Sequence, residues 1–229
     1  MLKEFVKTEQ DAKNAIIGTI IADGCIQKNR SKKNIPNASA SLEITHTSKN
    51  LDYLMQVGEI LRCIKGMTYT IKEHNKVTSE KTYQLFRLGT NVHPYLAELR
   101  DIMYDSSRTK ILPKEIVDQL SDLGLFLMYL DDGTLKVRFY EGTSRMREAR
   151  VTLCLDSFTL TELQYLQKVL KEKYDIDTKV YRHSKNMPLD RGFRIWTNTE
   201  NTKKIMKVFE KFYNHVPSMN YKFLQYYSL

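Results

Sequence analysis

The sequence predicts an α+β fold that consists of two pseudo-symmetric αββαββα repeats. An apolar helical run ends with Asp23 and Gly24, and a second one ends with Asp132 and Gly133, 109 positions later. Each run precedes segments of alternating apolar and polar residues, which favour strands, and amphipathic segments, which favour helices. Because both halves show these segments in the same order, we expect the two apolar helices to pack at a central interface, with one antiparallel sheet in each repeat.

Matching segments outside the two apolar runs support the duplication. They recur at offsets of 107, 109 and 112 positions, and they are residues 86–91 with 193–198, Ser48 with Ser157, and residues 53–54 with 165–166. A nearly constant offset is hard to obtain by chance. We therefore expect an N-terminal repeat over residues 1–105, a linker over 106–113 and a C-terminal repeat over 114–229.

In the first half, residues 8–11 resemble a capping box that begins the first apolar helix, which Gly24 ends. Residues 25–33 are basic and polar. The elements predicted after them are a strand over 39–47, a helix that follows Ser48, a hairpin of strands 68–72 and 82–88 with the polar loop 74–76, and a helix over 91–104.

The second half repeats this order. Its second apolar helix spans residues 121–131 and ends at Gly133. The elements predicted after it are strands over 136–140 and 147–155, a helix to about residue 174 that begins with a capping box at 159–162, a hairpin of 179–183 and 192–197, and a helix over 199–214.

Charge and cysteine content limit the function classes. The 229 residues carry a formal net charge of +9, which points to a polyanionic partner. Cys25, Cys63 and Cys154 are an odd number without a CxxC pair, so they fit a reducing compartment and argue against a disulfide framework or a cysteine zinc site. No signal peptide and no apolar run long enough for a membrane span is visible, so we expect no membrane partner.

The two Asp-Gly ends are the candidate reaction centre. If the helices pack side by side, which Gly18 and Ala22 would allow, Asp23 and Asp132 face each other. Two carboxylates that close need cations to stay ionised, and divalent metals that bridge attacking and leaving oxygens hydrolyse phosphodiesters. The alternative is that both acids only end buried helices.

One lysine in each half recurs at a similar distance from these acids. Lys110 lies 87 positions after Asp23, and Lys222 lies 90 positions after Asp132. A cation there could polarise water or stabilise transition-state charge at the scissile phosphates. The alternative is a pair of solvated loop lysines.

Basic residues and one glutamine, with interleaved tyrosines, form a candidate nucleic-acid surface on the predicted strands and in the segment 25–33. They are Gln27, Lys28, Arg30, Lys32, Lys33, Lys72, Arg87, Lys136, Arg138, Arg150, Lys179, Arg182 and Arg194. A two-stranded ribbon fits the DNA major groove, where Arg and Gln read base edges. The alternative is an ordinary solvated sheet face. We expect Trp196 to pack in the core, and the five histidines show no zinc-ligand spacing.

Residues 12–223 resemble the monomeric, double-motif LAGLIDADG homing endonucleases, whose motif ends with Asp-Gly as at Asp23–Gly24 and Asp132–Gly133. The resemblance implies that Asp23 and Asp132 bind catalytic metal, with the backbone oxygens of Ala22 and Asp131 as further ligands. It also implies catalytic roles for Lys110 and Lys222. Polar strand residues that support the metal site align with Thr45 and Cys154, with His46 beside them.

The resemblance further implies a DNA-binding saddle formed by the two sheets and a monomer that cuts double-stranded DNA with 3′ overhangs. Two or three Mg²⁺ ions in the shared site are the implied cofactor, with Mn²⁺ as a substitute. Mobility of an intron or similar element is the implied context, in an intracellular setting: a bacterial or phage-infected cytoplasm, or an organelle matrix. The alternatives are an RNA maturase that binds intron RNA, a catalytically inactive DNA-binding protein of the same fold, and a structural protein with a basic surface.

The chain departs from the family motif at packing positions. Thr19 and Ile21 replace the usual Leu and Asp of the first motif, and Leu127 replaces the Gly of the second. We expect these changes to alter helix contacts and leave the chemistry intact. Cys154 is a poor substitute for an amide or a hydroxyl, so the second half of the site is expected to be the weaker one.

Overall fold

The computed structural model describes residues 1–28, 40–77, 82–184 and 188–227. The helices in this part of the chain are α1 (Glu9–Ile21), α2 (Leu51–Leu61), α3 (Pro94–Met103), α4 (Lys114–Asp118), α5 (Asp122–Asp132), α6 (Leu160–Tyr174), α7 (Thr199–Phe209) and α8 (Leu224–Tyr227). Short 3-10 helices span Leu2–Phe5, Ser48–Asn50, Tyr213–His215 and Pro217–Lys222. None of the helices described is long and apolar enough to cross a membrane.

Two four-stranded antiparallel sheets accompany these helices. The strands are β1 (Cys25–Lys28), β2 (Ala40–Thr47), β3 (Tyr69–Val77), β4 (Thr82–Thr90), β5 (Gly133–Phe139), β6 (Met146–Leu153), β7 (Lys179–Arg182) and β8 (Phe193–Trp196). The strand order is β1-β2-β4-β3 in the first sheet and β5-β6-β8-β7 in the second. The two orders are equivalent, so the predicted α+β fold of two αββαββα repeats is confirmed.

Helices α1 and α5 pack against each other at the centre of the molecule. Both are apolar on nearly every side, which is the pattern of a helix buried all round. The helices approach most closely where two glycines meet: a Cβ added at Gly18 would lie 1.7 Å from the carbonyl oxygen of Gly124. Backbone-to-backbone contact at this point brings the C-terminal ends of the two helices into one region.

Each sheet has one face on the core and one face toward solvent. In β2, Leu42 and Ile44 are buried whereas Thr45 is exposed, and in β6, Val151 and Leu153 are buried whereas Arg150 is partly exposed. The side-chain period of two along a strand produces this alternation. The polar faces of both sheets are therefore available to a partner.

Two predicted elements have other bounds than those observed, and one observed strand was not predicted. The predicted loop 74–76 lies inside β3, which continues to Val77 and is exposed on both faces there, so it offers no apolar period to recognise. The basic segment after Gly24 contains β1. The last long helix ends at Phe209 rather than at residue 214, and two 3-10 helices follow it.

Candidate active site

The C-terminal ends of α1 and α5 place the two predicted acids. Helix α1 ends at Ile21, and the N–H of Gly24 donates to the carbonyl of Thr19 over 2.8 Å, which closes the helix. Helix α5 continues through Asp132, and Gly133 begins β5 directly. The acid of the first half therefore stands just beyond its helix, and its side chain is 43% exposed.

A buried lysine holds each helix end by the same three contacts. Nζ of Lys110 donates to the carbonyls of residues 20, 22 and 24 over 2.8, 2.9 and 2.8 Å. Nζ of Lys222 donates to the carbonyls of residues 129, 131 and 133 over 3.3, 3.4 and 2.9 Å. In both halves, two of the carbonyls belong to residues three positions and one position before the acid, and the third belongs to the glycine after it. A carbonyl oxygen has two lone pairs, so the backbone oxygens of Ala22 and Asp131 keep one each for a metal.

This arrangement contradicts the alternative of solvated loop lysines and gives both lysines backbone partners in addition to any role at the phosphates. All three N–H donors of each ammonium have backbone partners, because the last carbonyls of a helix lack partners within it. Burial lowers the pKa of Lys110 and Lys222, and the neighbouring Asp23, Asp131 and Asp132 oppose that shift. The lysines thus bring fixed positive charge close to the acids.

The acids repel one another across the helix interface. Burial raises the pKa of Asp132 to about 7, and the charges of Asp23 and Asp131 add to the rise, against Lys110 and Lys222. Burial also raises the pKa of Asp131. A divalent cation would offset the repulsion between carboxylates that share such a poorly solvated site.

His46 connects the two helix ends. It lies on the core-facing side of β2, its side chain is 9% exposed, and its ring meets that of Tyr53 edge-to-face at 5.0 Å. Nε2 lies 3.1 Å from Oδ1 of Asp131, whose side chain is completely buried, and 3.8 Å from Oδ2 of Asp23. The imidazole therefore bridges an acid of each motif. The adjacent Thr45 faces the opposite side of the sheet and is exposed.

The second half has a cavity beside its acid. The cavity has a volume of about 410 Å³, and its lining includes Asp131, Asp132, Thr134, Cys154 and Lys222. The backbone N–H of Cys154 donates to the carbonyl of Asp132 over 2.8 Å. Burial raises the pKa of the Cys154 thiol, so the group stays a neutral, weak donor. Cys154 thus lies next to the second acid. Thr45, at the equivalent position of the first half, lies on the outer face of β2.

Strand register places most of the predicted basic residues on the outer faces of the sheets. In the first sheet Lys72 pairs with Arg87, which pairs with Thr45. In the second sheet Lys136 pairs with Arg150. Like charges directly opposite each other destabilise an isolated sheet, so both pairs favour a polyanionic partner.

Several of these arginines are paired with acids. The ion pairs are Arg87–Glu43 at 3.8 Å, Arg138–Glu148 at 3.4 Å, Arg150–Glu148 at 2.9 Å and Arg194–Asp156 at 2.9 Å. The pairs of Arg87 and Arg138 are the more exposed ones and are worth about 0–1 kcal/mol, so a phosphate can replace the acid there at little cost. The pair of Arg194 is about three quarters buried, and its Nε donates to both carboxylate oxygens of Asp156.

Not every predicted residue falls on the outer faces. Lys28 pairs with the buried Ala40, and Arg182 pairs with Phe193, so alternation puts both on the side of the sheet opposite to Gln27 and Lys179. Arg30, Lys32 and Lys33 lie outside the described residues.

Trp196 corrects another expectation, because it is only partly buried. The guanidinium of Arg150 lies 4.2 Å from its ring centre and the ammonium of Lys179 lies 5.6 Å from it. The ring is thus flanked by two cations on the outer face of the second sheet. The sequence contained a signal for this position: Trp196 lies two residues after Arg194, and residues two apart in a strand share a face.

The sequence interpretation also missed the side-chain role of Asp131. It assigned only the backbone oxygen of this residue to the site. The signal was the Asp131–Asp132 pair at a position where the first motif has Ala22–Asp23, which puts an extra carboxylate into a buried helix interface.

Comparisons with known proteins agree with this architecture. The chain matches the LAGLIDADG DNA endonuclease family over residues 13–205. The solved homing endonuclease I-WcaI, bound to its DNA recognition sequence, superposes with a TM-score of 0.72 at 16% identity, over 96% of this chain and 89% of that one. The DNA endonuclease I-ChuI of Chlamydomonas applanata is 26% identical over 177 residues, which are 74% of this chain and 75% of that protein.

The relatives also include proteins named RecA. The one from Mycolicibacterium chitae is 24% identical over 212 residues, which are 91% of this chain and 45% of that protein. The chain thus spans less than half the length of the RecA relatives that it matches. The family match covers most of the chain and both motif helices, and on that basis the protein belongs to the LAGLIDADG DNA endonuclease family.

Proposed function

We propose that this chain acts as a monomer that cuts both strands of a long, asymmetric double-stranded DNA target by metal-dependent phosphodiester hydrolysis. The cut leaves 3′ overhangs and promotes the mobility of an intron or similar element. The observation that carries the proposal is the pairing of Asp23 and Asp132 at equivalent helix ends, each beside a lysine-held turn. One acid from each repeat would serve one DNA strand.

The residues present fit a divalent cation. Burial raises the pKa of Asp132 to about 7 and the charges of Asp23 and Asp131 add to the rise, so a cation bound there would stabilise the ionised form. The carboxylates of Asp23 and Asp132, with the carbonyls of Ala22 and Asp131, form an all-oxygen ligand set that suits Mg²⁺, with Mn²⁺ as a substitute. When bound, such an ion polarises the scissile phosphate and lowers the pKa of water.

We infer that Lys110 and Lys222 act by holding the reacting acids in place. Each ammonium fixes three carbonyls around one acid, so the acid keeps its position when DNA arrives. Each ammonium also adds positive charge close to where phosphate charge develops. Cys154 lies beside Asp132, and Thr45 occupies the equivalent position on the outer face of β2. Both would contact water or phosphate.

The outer sheet faces are proposed as the DNA saddle. The like-charge pairs Lys72–Arg87 and Lys136–Arg150 support this role, because a phosphate backbone would offset their repulsion. Arginines now paired with acids would exchange partners on binding. The cations beside Trp196 extend the same surface in the second repeat.

Substitution of the two acids tests the proposal. A cleavage selection on a randomised duplex library with Mg²⁺ first yields a target. Asp23→Asn and Asp132→Asn keep the side-chain shape and remove one charge, so cleavage should fall at least about a thousandfold, which corresponds to about 4 kcal/mol of transition-state stabilisation. Duplex binding without metal should be unchanged or tighter.

Asp101→Asn, an exposed acid on α3, is the matched control and should cleave like wild type. Near wild-type cleavage by either motif variant would remove that acid from the site. Tighter binding to a structured intron RNA than to the selected duplex would favour a maturase instead.

A further inference from the structure

A cluster on one side of the helix interface goes beyond the paired acids. Asp23, His46 and Asp131 each offer one ligand atom, and these three atoms lie within 4.8 Å of one another. The cluster joins two carboxylates to one imidazole and draws on both repeats. It is open toward solvent at Asp23 and closed by protein around Asp131, whose side chain is 0% exposed against 43% for Asp23.

One carboxylate oxygen on the buried side of this cluster is only partly satisfied. Oδ2 of Asp131 has no hydrogen-bond partner of normal geometry among the described residues, and the same holds for the buried hydroxyls of Thr19 and Tyr53. The phenol of Tyr53 is close enough to Asp131 to lower the pKa of that carboxyl, against the effect of burial. Burial raises the pKa of Tyr53 well above its ordinary value, and the neighbouring Asp131 adds to that rise, so Tyr53 remains a neutral phenol. A buried carboxylate without full hydrogen bonding costs several kcal/mol, which a bound cation would offset.

The ligand atoms of the cluster are close enough for one metal ion after a small adjustment. Divalent transition metals hold nitrogen and oxygen ligands at about 2.0–2.2 Å, so neighbouring ligand atoms stand roughly 3.0–3.5 Å apart. The imidazole nitrogen lies 3.1 Å from the Asp131 oxygen, to which it is hydrogen-bonded, and 3.8 Å from the Asp23 oxygen. A bound ion would take the place of the proton in the His46–Asp131 hydrogen bond, and a rotation of the exposed Asp23 side chain would bring its oxygen, now within 4.8 Å of the other two ligand atoms, into the set.

We infer that Asp23, His46 and Asp131 form a divalent metal site that prefers a transition metal such as Mn²⁺ or Co²⁺ to Mg²⁺. An imidazole ligand favours the transition metals, whereas Mg²⁺ takes oxygen ligands. The site exists on one side only, because the residues 109 positions from His46 and Asp131 are Leu155 and Ala22. This metal site rests on the proposed function, because Asp23 belongs both to it and to the Asp23–Asp132 pair.

Binding of Co²⁺ alone to the metal-free full chain tests this site without DNA or cleavage. Calorimetry and visible absorption should show one tight Co²⁺ per chain in the presence of excess Mg²⁺. His46→Gln should weaken this binding at least about tenfold, the loss typical of a disturbed metal site. His74→Gln, which changes an exposed histidine of β3, should bind Co²⁺ like wild type.

Proton NMR of the Co²⁺-loaded wild type gives a second readout. A paramagnetically shifted imidazole N–H resonance should appear in wild type and His74→Gln and be absent from His46→Gln. If His46→Gln does not fold by circular dichroism, Asp131→Ala replaces it, since alanine occupies the equivalent position 22. Equal Co²⁺ affinity of wild type and these variants, with no shifted resonance, would overturn the site.

Failure of this inference is distinguishable from failure of the proposed function. Asp132→Asn lies outside the three ligands, so it should keep the Co²⁺ site while it loses cleavage. If the wild type shows no cleavage of any duplex while Co²⁺ binds as expected, the proposed function is wrong and the metal site is supported. If His46→Gln binds Co²⁺ normally while Asp132→Asn is inactive, only the metal site is wrong.

Discussion

The end of α1 carries Ala22 before its acid, whereas the end of α5 carries Asp131, a buried carboxylate at the equivalent position. The backbones of the two ends are nonetheless alike, because Lys110 and Lys222 contact the carbonyls of equivalent residues. The duplication thus preserves main-chain geometry and the cation that fixes it. Side-chain chemistry differs between the ends, and one repeat holds an acid and an imidazole that the other lacks.

The two motif helices also differ in how they approach each other. Gly18 makes the close contact in the first helix, but Leu127 occupies the position 109 residues later, and Gly124 makes the contact instead. A Cβ added at Gly124 would lie 2.7 Å from the carbonyl of Asn14. The crossing point is therefore built from one glycine of each helix at non-equivalent positions. A near-symmetric fold can hold an asymmetric interface.

The largest effect is expected at this crossing point. Gly18→Ala puts a methyl group 1.7 Å from a backbone oxygen that cannot rotate away, so α1 and α5 must separate. Overpacking of this kind costs about 3 kcal/mol or more, which is enough to unfold a marginal protein. Urea unfolding followed by circular dichroism measures the loss.

Gly89→Ala is the control for the Gly18 variant, because a Cβ there would meet nothing within 4 Å. It should change the free energy of unfolding by less than about 0.5 kcal/mol. If Gly18→Ala is as stable as this control, the close helix contact does not hold the two repeats together.

The lysines give the next effect and compare the two repeats directly. Lys110→Met and Lys222→Met keep most of the side-chain volume and leave three carbonyls without their donor. Loss of a buried charged donor costs about 2–3 kcal/mol. Because the bonds of Lys110 are shorter, 2.8–2.9 Å against 2.9–3.4 Å for Lys222, its variant should be the less stable of the two.

Chemical denaturation of both lysine variants, in chelator and without DNA, measures this difference. Lys136→Met, which changes an exposed lysine of β5, is a control for the loss of one positive charge. If the two buried-lysine variants are as stable as the Lys136 variant, the carbonyl contacts contribute nothing and the lysines are free to serve the phosphates.

Much of this architecture was predictable from residue patterns. The 3.6-residue period of the apolar runs and the constant offset predicted both repeats, and the Asp-Gly ends predicted Asp23 and Asp132 as neighbours. Strand β1 was not recognised because it has only four residues with one buried apolar side chain, Ile26, and the outer part of β3 was not recognised because it is exposed on both faces. The partners of Lys110 are backbone carbonyls, which no side-chain pattern reports.

The His46–Asp131 contact was beyond sequence reasoning for another reason. His46 reaches Asp131 only because β2 turns its even-numbered residues toward the helices, while Thr45, its neighbour, turns outward. A shift of one residue in strand register would exchange the two. Register is set by tertiary packing between segments far apart in the chain.

A pH series on the metal-free protein sharpens the comparison of the acids. Burial raises the pKa of Asp132 from 3.8 to about 7, so its protonated form is favoured in the folded protein. For such a group the stabilisation is present at low pH and is lost as pH rises through about 7. Asp132→Asn cannot ionise, so its stability relative to wild type should be about 2–3 kcal/mol more favourable at pH 8 than at pH 5.

The stability difference should disappear or reverse when Mg²⁺ is added, since only wild type gains from binding it. Thermal unfolding at pH 5 and pH 8, with chelator and with Mg²⁺, gives all four values. A difference independent of pH would mean that Asp132 is ionised in the folded protein at pH 5 as well.

The smallest effect concerns Thr45 and Cys154, which occupy positions 109 residues apart in the two repeats. Thr45 offers a hydroxyl on β2, whereas Cys154 offers a weak thiol donor next to Asp132. If both face the reacting phosphates, the DNA strand served by the second repeat should be cut more slowly. Cys154→Thr supplies a hydroxyl worth about 1 kcal/mol, so that strand should be cut about fivefold faster while the other is unchanged.

Cys63→Thr changes a thiol just after the C-terminal end of α2. It is the control and should leave both rates unaltered. Single-turnover cleavage of a duplex labelled on each strand measures the two rates. Equal acceleration of both strands would show that the substitution acts on the structure as a whole. No acceleration would show that a hydroxyl at position 154 does not assist cleavage.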